Sequence, residues 1–174
     1  MKTSNERIVI GIDPGYAILG YAVVAANGNN LHMLDCGVIT TPAGLILPLR
    51  LQQIYQRLSA LVDEYRPEEA AMEELFFGRN VTTAIAVGHA RGVAMLALVN
   101  GGITISEYKP SEVKLAVTGY GAAKKSQVGE MVRLLLHLKT IPRPDDAADA
   151  AAIAICHLHM ARYQQELLPA GGRK

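Results

Sequence analysis

The hydrophobic positions at the start of the chain follow the pattern of short buried strands. Segments 7–13, 20–26 and 31–40 are rich in valine, isoleucine and leucine. Residues 27–30 read Asn-Gly-Asn-Asn, and an Asn-Gly pair between two apolar runs is typical of a tight β-hairpin turn. We therefore predict three antiparallel strands, the second and third joined by this turn.

The hydrophobic period changes after residue 46. From there to Pro67 the apolar residues recur every three to four positions, which predicts an amphipathic helix that ends before the proline. The short apolar segment 68–76 then follows a helix, as a parallel strand would. Further along, the pattern predicts a helix over 81–100 capped by Asn80, a strand over 103–108, and helices over 110–119, 124–138 and 145–163.

This order of elements predicts an α/β fold with a mixed five-stranded sheet flanked by helices. The chain of 174 residues is the size of one ordinary domain, and it has no internal repeat and no long linker. We expect a single domain over 1–174 with its core at about 7–160, a short leader before it and a frayed tail after it.

Composition narrows the class of protein. No apolar run is long enough to cross a membrane, and the first residues lack the pattern of a secretory signal. Cys36 and Cys156 lie far apart and form no CxxC motif, so a reduced, cytoplasmic protein is expected.

The charges are unevenly spread, although the formal net charge is only +1. Segment 109–143 is strongly basic, whereas segment 63–74 is strongly acidic. A basic segment with a separate set of carboxylates suits a protein that binds a polyanion and acts on it through metal ions. Two solvated faces of opposite sign would give the same pattern.

Several carboxylates are placed where the fold could gather them. Asp13 ends the first strand, and Glu73 or Glu74 lies near the end of the fourth; adjacent strand residues point to opposite faces, so only one of these glutamates can enter a shared site. Asp146 and Asp149 lie three residues apart on one face of the last helix. Together they could bind two hard divalent cations such as Mg²⁺, about 3.5–4 Å apart, on either side of a scissile phosphate.

Each carboxylate also has a structural interpretation. Asp13 before Pro14-Gly15 could be a turn residue, and Asp146 could cap the last helix with Asp149 in its first turn. Asp149, however, shares a helix face with the apolar Ile153 and Cys156, where a merely solubilising charge is out of place. Asp145 could also join or support the cluster.

Five motifs in order along the chain resemble those of the RuvC-type Holliday junction resolvases, which have the RNase H-like fold. They are GIDPG, AMEELFFGRN, GHARGVAML, VKLAVTGYGAAKKSQV and DAADAAAIAICH, and they span roughly residues 7–160. The resemblance implies an RNase H-like nuclease that resolves four-way DNA junctions by paired symmetric nicks. This sequence departs from the family pattern at two positions. Lys109 stands where many relatives have a small polar residue, and Asp145 adds a negative charge.

The resemblance also implies roles for individual residues. It makes Asp13, Glu73, Asp146 and Asp149 the catalytic quartet that binds two Mg²⁺ ions, with Mn²⁺ as a substitute, and it selects Glu73 over Glu74 and Asp146 over Asp145. Lys114 and Lys125 match lysines that contact DNA near the cut, and we assign Lys125 a catalytic role in stabilising charge on the phosphate. Phe76 matches an aromatic residue that stacks on opened bases. The residues expected to bind DNA are Phe76, Arg79, Lys109, Lys114, Lys124 and Lys125.

Partners follow from the same resemblance. A junction has two equivalent strands to cut, so a two-fold homodimer is expected. Small residues Ala84, Gly88 and Gly92 form a stripe on the 81–100 helix, which could seat a second copy or the helix's own sheet. Relatives act with the RuvA–RuvB branch-migration complex in the bacterial cytoplasm.

Competing functions remain at this stage. An actin-like ATPase could use GIDPG on phosphate, although such proteins carry two copies of the fold. A non-catalytic junction-binding protein, or a related nuclease acting on another branched or RNA substrate, would also account for the pattern. The Cys-His-Leu-His run at 156–159 offers too few ligands to close a zinc site.

Overall fold

The computed structural model describes residues 6–15, 17–74 and 81–167, with the side chains of 81–83 and 162–167 left out of the description. In chain order the described elements are β1 Arg7–Asp13, β2 Ile18–Asn27, β3 Asn30–Thr40, α1 Leu47–Tyr65, β4 Glu69–Glu73, α2 Val81–Asn100, β5 Thr104–Tyr108, α3 Pro110–Thr118, α4 Lys125–Leu135 and α5 Asp145–Leu167. None of the described helices is both long and apolar enough to span a lipid bilayer.

The strands form one mixed sheet in the order β3-β2-β1-β4-β5. β1 pairs antiparallel with β2 and β2 with β3, while β4 runs parallel to β1 and β5 runs parallel to β4. The predicted five-stranded sheet and its antiparallel first half are confirmed. The hairpin turn is also confirmed, because Gly28 adopts a positive φ of 59° between β2 and β3.

The register places two predicted site residues side by side. Ile12 of β1 lies opposite Met72 of β4, so the next residues, Asp13 and Glu73, end these neighbouring parallel strands at the same edge of the sheet. Parallel strands form ligand sites at this carboxyl edge. The fourth strand is shorter than the predicted 68–76, and residues 75–80 lie outside the described part of the chain.

Alternation along β1 decides which face Asp13 occupies. Ile8, Ile10 and Ile12 pack on α1 and α2, whereas Val9 belongs to the core cluster that contains α5. Asp13 lies four residues after Val9 in β1, so the two side chains point to the same face of the sheet. Asp13 therefore projects on the side of the sheet that α3, α4 and α5 cover.

α5 lies directly against the backbone of the sheet because two strand positions are glycine. A Cβ at Gly11 would lie 2.1 Å from the carbonyl oxygen of Ala150, and one at Gly20 would lie 2.2 Å from that of Asp146. The facing side of α5 is a run of buried alanines, which adds little side-chain bulk between helix and sheet. This close contact brings the first turn of α5 over the carboxyl end of β1.

Candidate active site

A cavity of about 270 Å³ lies where the carboxyl edge of the sheet meets the helices. Its charged lining consists of three carboxylates and two ammonium groups: Asp13, Glu73, Asp149, Lys114 and Lys125. Apolar side chains of α3, α4 and α5, among them Val113, Val128 and Ile153, form the rest of the wall. We call this site the carboxylate cavity.

Asp13 is the carboxylate whose charge is most disfavoured. Burial raises its pKa from 3.8 to about 7, and the negative charges of Asp149, Glu73 and Asp146 add to this effect. The ammonium of Lys125 acts in the opposite direction and lowers the pKa of Asp13. A half-buried carboxylate surrounded by others is a site that favours a bound cation.

Glu73 lines the cavity at the end of β4, the strand next to that of Asp13. Its pKa is raised first by burial and then by the charge of Asp149, while the ammonium of Lys114 lowers it. Glu74 does not line the cavity; its backbone nitrogen donates to the carbonyl oxygen of Tyr108 and continues the pairing of β4 with β5. The geometry therefore agrees with Glu73, rather than Glu74, as the glutamate of the site.

Lys125 neutralises the α5 side of the cavity. Its Nζ lies 2.8 Å from Oδ2 of Asp149 and 3.7 Å from Oδ2 of Asp145. The hydrogen bond to Asp149 raises the pKa of Lys125. Asp145 in turn accepts a hydrogen bond of 2.7 Å from Nη1 of the exposed Arg143, so it supports Lys125 from outside the cavity.

Asp146 is placed differently from the other three members of the predicted quartet. It is half-buried in the first turn of α5 and does not line the cavity, yet its charge is close enough to raise the pKa of Asp13. Asp13, Glu73 and Asp149 are thus gathered in one cavity, with Asp146 at its margin.

The donor chemistry fits a hard divalent cation, because carboxylate oxygens are the ligands that Mg²⁺ prefers. Among the described residues, however, no group of three or more histidine, cysteine, aspartate or glutamate side chains is arranged to hold a metal ion as it stands. Lys125 is ion-paired with one of these carboxylates, Asp149, at 2.8 Å.

The predicted DNA-binding residues fall into three groups. Lys114 and Lys125 line the cavity. Lys109 and Lys124 are exposed just before α3 and α4, where their backbone nitrogens donate to the side chains of Glu112 and Gln127. Phe76 and Arg79, with the predicted helix cap Asn80, lie outside the described residues.

One face of α2 is apolar and exposed. Ile85, Leu96 and Val99 are 53–59% exposed, and His89 and Gly92 lie between them on the same face. Among the described residues, no atom lies within 4 Å of a Cβ built at Gly88 or Gly92, so these glycines do not seat the helix on its own sheet. The positions 85, 89, 92, 96 and 99, which we call the α2 seam, alternate by four and three residues, the spacing of a helix that packs on another helix.

The Cys-His-Leu-His run serves packing and hydrogen bonding. Cys156 is fully buried. The ring of His157 is hydrogen-bonded to the hydroxyl of Tyr108 at 2.8 Å and to Glu69, and Nδ1 of His159 donates to the carbonyl oxygen of Ala116 at 3.0 Å.

Sequence reasoning missed Arg91 of α2. Its side chain is 9% exposed, and Nη1 donates to the backbone carbonyl oxygen of Glu73 at 2.6 Å. In the sequence Arg91 is one residue of the GHARGVAML motif, and nothing in that motif indicates what its side chain contacts. A contact between a helix residue and a strand end is a tertiary feature that no local pattern reveals.

Comparison with known sequences gives one consistent family. The family profile described as crossover junction endodeoxyribonuclease RuvC matches residues 9–157. The protein of that name from Chloroflexus aurantiacus is 59% identical over 152 residues, which cover 87% of this chain and 93% of the relative. The one from Rubrobacter xylanophilus is 52% identical over 157 residues, covering 90% of this chain and 88% of the relative.

Solved structures agree in fold. Thermus thermophilus RuvC in complex with a Holliday junction substrate superposes with a TM-score of 0.87 at 38% identity, covering 91% of this chain and 96% of that chain. The yeast mitochondrial Holliday junction resolvase Ydc2 superposes with a TM-score of 0.68 at 14% identity over 91% of this chain and 80% of that one, which is a likeness of fold alone.

Proposed function

This chain belongs to the RuvC family of crossover junction endodeoxyribonucleases, and from that membership we propose that the carboxylate cavity is where it cuts DNA. The protein is an endonuclease that resolves Holliday junctions in recombination and repair. The observation that carries the assignment of the site is the convergence of Asp13, Glu73 and Asp149 with two lysines at the carboxyl edge of the sheet. The whole of 1–174 then serves as one nuclease domain.

Two Mg²⁺ ions are the proposed cofactors, with Mn²⁺ as a substitute. Asp13, Glu73 and Asp149 would hold them, and Asp146 would be the fourth carboxylate from the margin of the cavity. The chemistry supplied by bound cations is activation of a water molecule for in-line attack and neutralisation of the leaving 3′ oxygen, which yields a 5′-phosphate and a 3′-hydroxyl.

The residues of the chain prepare this reaction. The charge of Asp13 is destabilised by burial and by the neighbouring carboxylates, so a bound cation would favour its ionised form. The ammonium of Lys125 lines the cavity and is held there by its 2.8 Å ion pair with Asp149, where it would face a bound phosphate. There a lysine stabilises the charge that grows on the phosphate oxygens.

DNA binding is assigned to the basic residues around the cavity. Lys109 and Lys124 precede two neighbouring helices, and Lys114 lies in the cavity wall, so together they can follow a phosphate backbone into the site. Arg79 and Phe76 complete the proposal, Arg79 on phosphate and Phe76 stacking on unpaired bases. Binding of this kind weakens steeply as salt rises.

A homodimer is the proposed working form. Two α2 seams packed about a two-fold axis would bury the exposed apolar side chains of both copies and present two cavities to the two equivalent strands of a junction. The RuvA–RuvB complex and the bacterial cytoplasm are the partner and compartment that family membership suggests.

The decisive experiment measures cleavage of a synthetic four-way junction with and without Mg²⁺. We expect paired, symmetric nicks that require the cation and disappear in Asp13→Asn, while that variant still binds the junction because its phosphate-binding lysines are intact.

The competing functions give other results. Equal nicking by both proteins would remove Asp13 from the mechanism, and binding without nicking by the wild type would indicate a non-catalytic junction-binding protein. Faster cutting of flaps or RNA–DNA hybrids would indicate another nucleic-acid substrate.

A further inference from the structure

Arg91 is a buried cation outside the carboxylate cavity. It lies on the side of α2 that packs against the sheet, between the fully buried Ala90 and Ala94, and the residue as a whole is 8% exposed. A guanidinium removed from water is costly unless it is paired and hydrogen-bonded, so its partners define its role.

The two hydrogen-bond partners of Arg91 lie on adjacent strands. Nη1 donates to the backbone carbonyl oxygen of Glu73 at 2.6 Å, and Nη2 is paired with Oε2 of Glu107 at 2.5 Å. Glu73 is the last residue of β4, and Glu107 of β5 lies opposite Met72, one position before it. The fork of one guanidinium thus joins α2 to the ends of β4 and β5.

We propose that Arg91 is a positioning residue that sets the direction of the Glu73 carboxylate toward the cations. This inference rests on the proposed function, in which Glu73 is a metal ligand. A rigid planar donor bonded to the peptide oxygen of Glu73 restrains the rotation of the peptide that follows its Cα. The side chain leaves from the same Cα, so the restraint limits where its carboxylate can point.

The pairing with Glu107 makes this arrangement specific for arginine. Arg91 bonds a carbonyl oxygen and a carboxylate at once, through two N–H groups that point in different directions within the plane of the guanidinium. A lysine ammonium at that position keeps the charge but not the planar fork. Residues that orient metal ligands typically change metal affinity about 10- to 100-fold when they are removed.

The test measures Mn²⁺ binding directly, by electron paramagnetic resonance of the free ion, together with the rise in melting temperature that Mn²⁺ produces. The full chain is used without DNA. We expect Arg91→Met to weaken Mn²⁺ binding at least about tenfold, and Arg91→Lys to fall between Arg91→Met and the parent protein. Junction affinity measured in EDTA stays that of the parent, because the lysines that bind phosphate are untouched.

Arg50→Met is the matched control for loss of a buried arginine. Arg50 is 4% exposed and donates from Nε to the hydroxyl of Thr41 at 2.8 Å, in the segment between β3 and α1. We expect this variant to lose stability and to keep the Mn²⁺ affinity of the parent protein. Glu107→Gln leaves the bond from Arg91 to Glu73 in place, and a loss smaller than that of Arg91→Met is expected.

Each outcome decides the proposal. Parent-like Mn²⁺ affinity in Arg91→Met overturns it, as does an equal loss in Arg50→Met. If Arg91→Met does not fold, parent-like affinity in Arg91→Lys overturns it. Glu73→Gln separates a failure of the metal site from a failure of the role of Arg91. If Glu73→Gln binds Mn²⁺ like the parent protein, the assigned metal site is wrong and the inference about Arg91 is wrong with it. If Glu73→Gln loses Mn²⁺ affinity while the Arg91 variants keep it, only the inference about Arg91 is wrong.

Discussion

At the scale of single residues, Asp13 shows how a fold can favour cation binding by burying a carboxylate among other negative charges. It ends a buried strand, and the strands and helices around it bring further negative charge close. Its raised pKa means that the protein without metal pays a free-energy cost to keep this carboxylate ionised near neutral pH. That cost is removed when a cation binds, which strengthens the binding.

The first prediction concerns stability in EDTA. Because the pKa of Asp13 is about 7 when folded and near 3.8 otherwise, the folded state binds more protons between these values. The stabilising contribution of the protonated form is complete below pH 3.8 and is lost as the pH rises through about 7. We expect Asp13→Asn to be more stable than the wild type by on the order of 3 kcal/mol above pH 7, with the difference shrinking toward pH 4.

Urea unfolding at several pH values measures this difference. Asp63→Asn, which changes an exposed aspartate of α1, should match the wild type throughout. A difference between Asp13→Asn and wild type that does not vary with pH would show that burial of the charge is not its cause.

The second prediction separates two adjacent lysines. Lys125 contacts Asp149, whereas Lys124 is exposed and does not line the cavity. Lys125→Met should lower the single-turnover cleavage rate about 100-fold, since it removes a charge next to the reacting phosphate. Lys124→Met should mainly weaken junction binding and reduce the salt slope by about 1. Similar effects of both variants on the rate at saturating enzyme would contradict a separate catalytic role for Lys125.

The sequence was informative about single residues only where the local pattern carried their chemistry. Asp13 was recognisable because a charge ends an apolar strand, and Asp149 because a charge interrupts an apolar helix face. Glu73 and Glu74 could not be separated by periodicity, and the family motif made that choice. The contacts of Arg91 and the support that Asp145 gives to Lys125 depend on the packing of distant segments, which no single stretch of sequence encodes.

At the scale of elements, the order and type of strands and helices could be predicted because each has a distinct hydrophobic period. The fourth strand shows where this reasoning stops. Its apolar pattern continues past Glu73 to Phe76, so the sequence predicted a strand to 76, whereas β4 ends at Glu73 opposite Tyr108 and is followed by one further backbone hydrogen bond, from Glu74 to Tyr108. The end of a strand is set by where its neighbour ends, which is a property of the sheet.

The third prediction tests the contact between α5 and the sheet. A Cβ at Gly20 would overlap the carbonyl oxygen of Asp146, so Gly20→Ala should push the first turn of α5 away from Asp13. We expect a loss of about 1–3 kcal/mol in stability, measured by urea unfolding, together with slower junction cleavage. Gly44→Ala is the control, because a Cβ there lies more than 4 Å from any atom in the part of the chain that the structure describes. Unchanged cleavage in Gly20→Ala would mean that the distance between α5 and the sheet does not affect the activity of the site.

At the scale of the whole molecule, the exposed α2 seam predicts the assembly. Leu96→Glu places a charge in the proposed interface, and we expect sedimentation to show a dimer for the wild type and a monomer for this variant at the same concentration. Leu134→Glu, at a similarly exposed leucine of α4, should leave the assembly unchanged. The Leu96→Glu protein should also nick the two junction strands independently. Dimers that survive this substitution would place the interface elsewhere.

The contact of α5 with Gly11 and Gly20 also bears on how the protein can change over time. Here the main chain of the strands lies against the main chain of α5, so the distance between them depends on the two glycines and on the small buried alanines that face them. Substitutions elsewhere in the hydrophobic clusters can alter local packing while this contact stays in place. The spacing of the acidic groups is therefore most sensitive to exchange of these small residues.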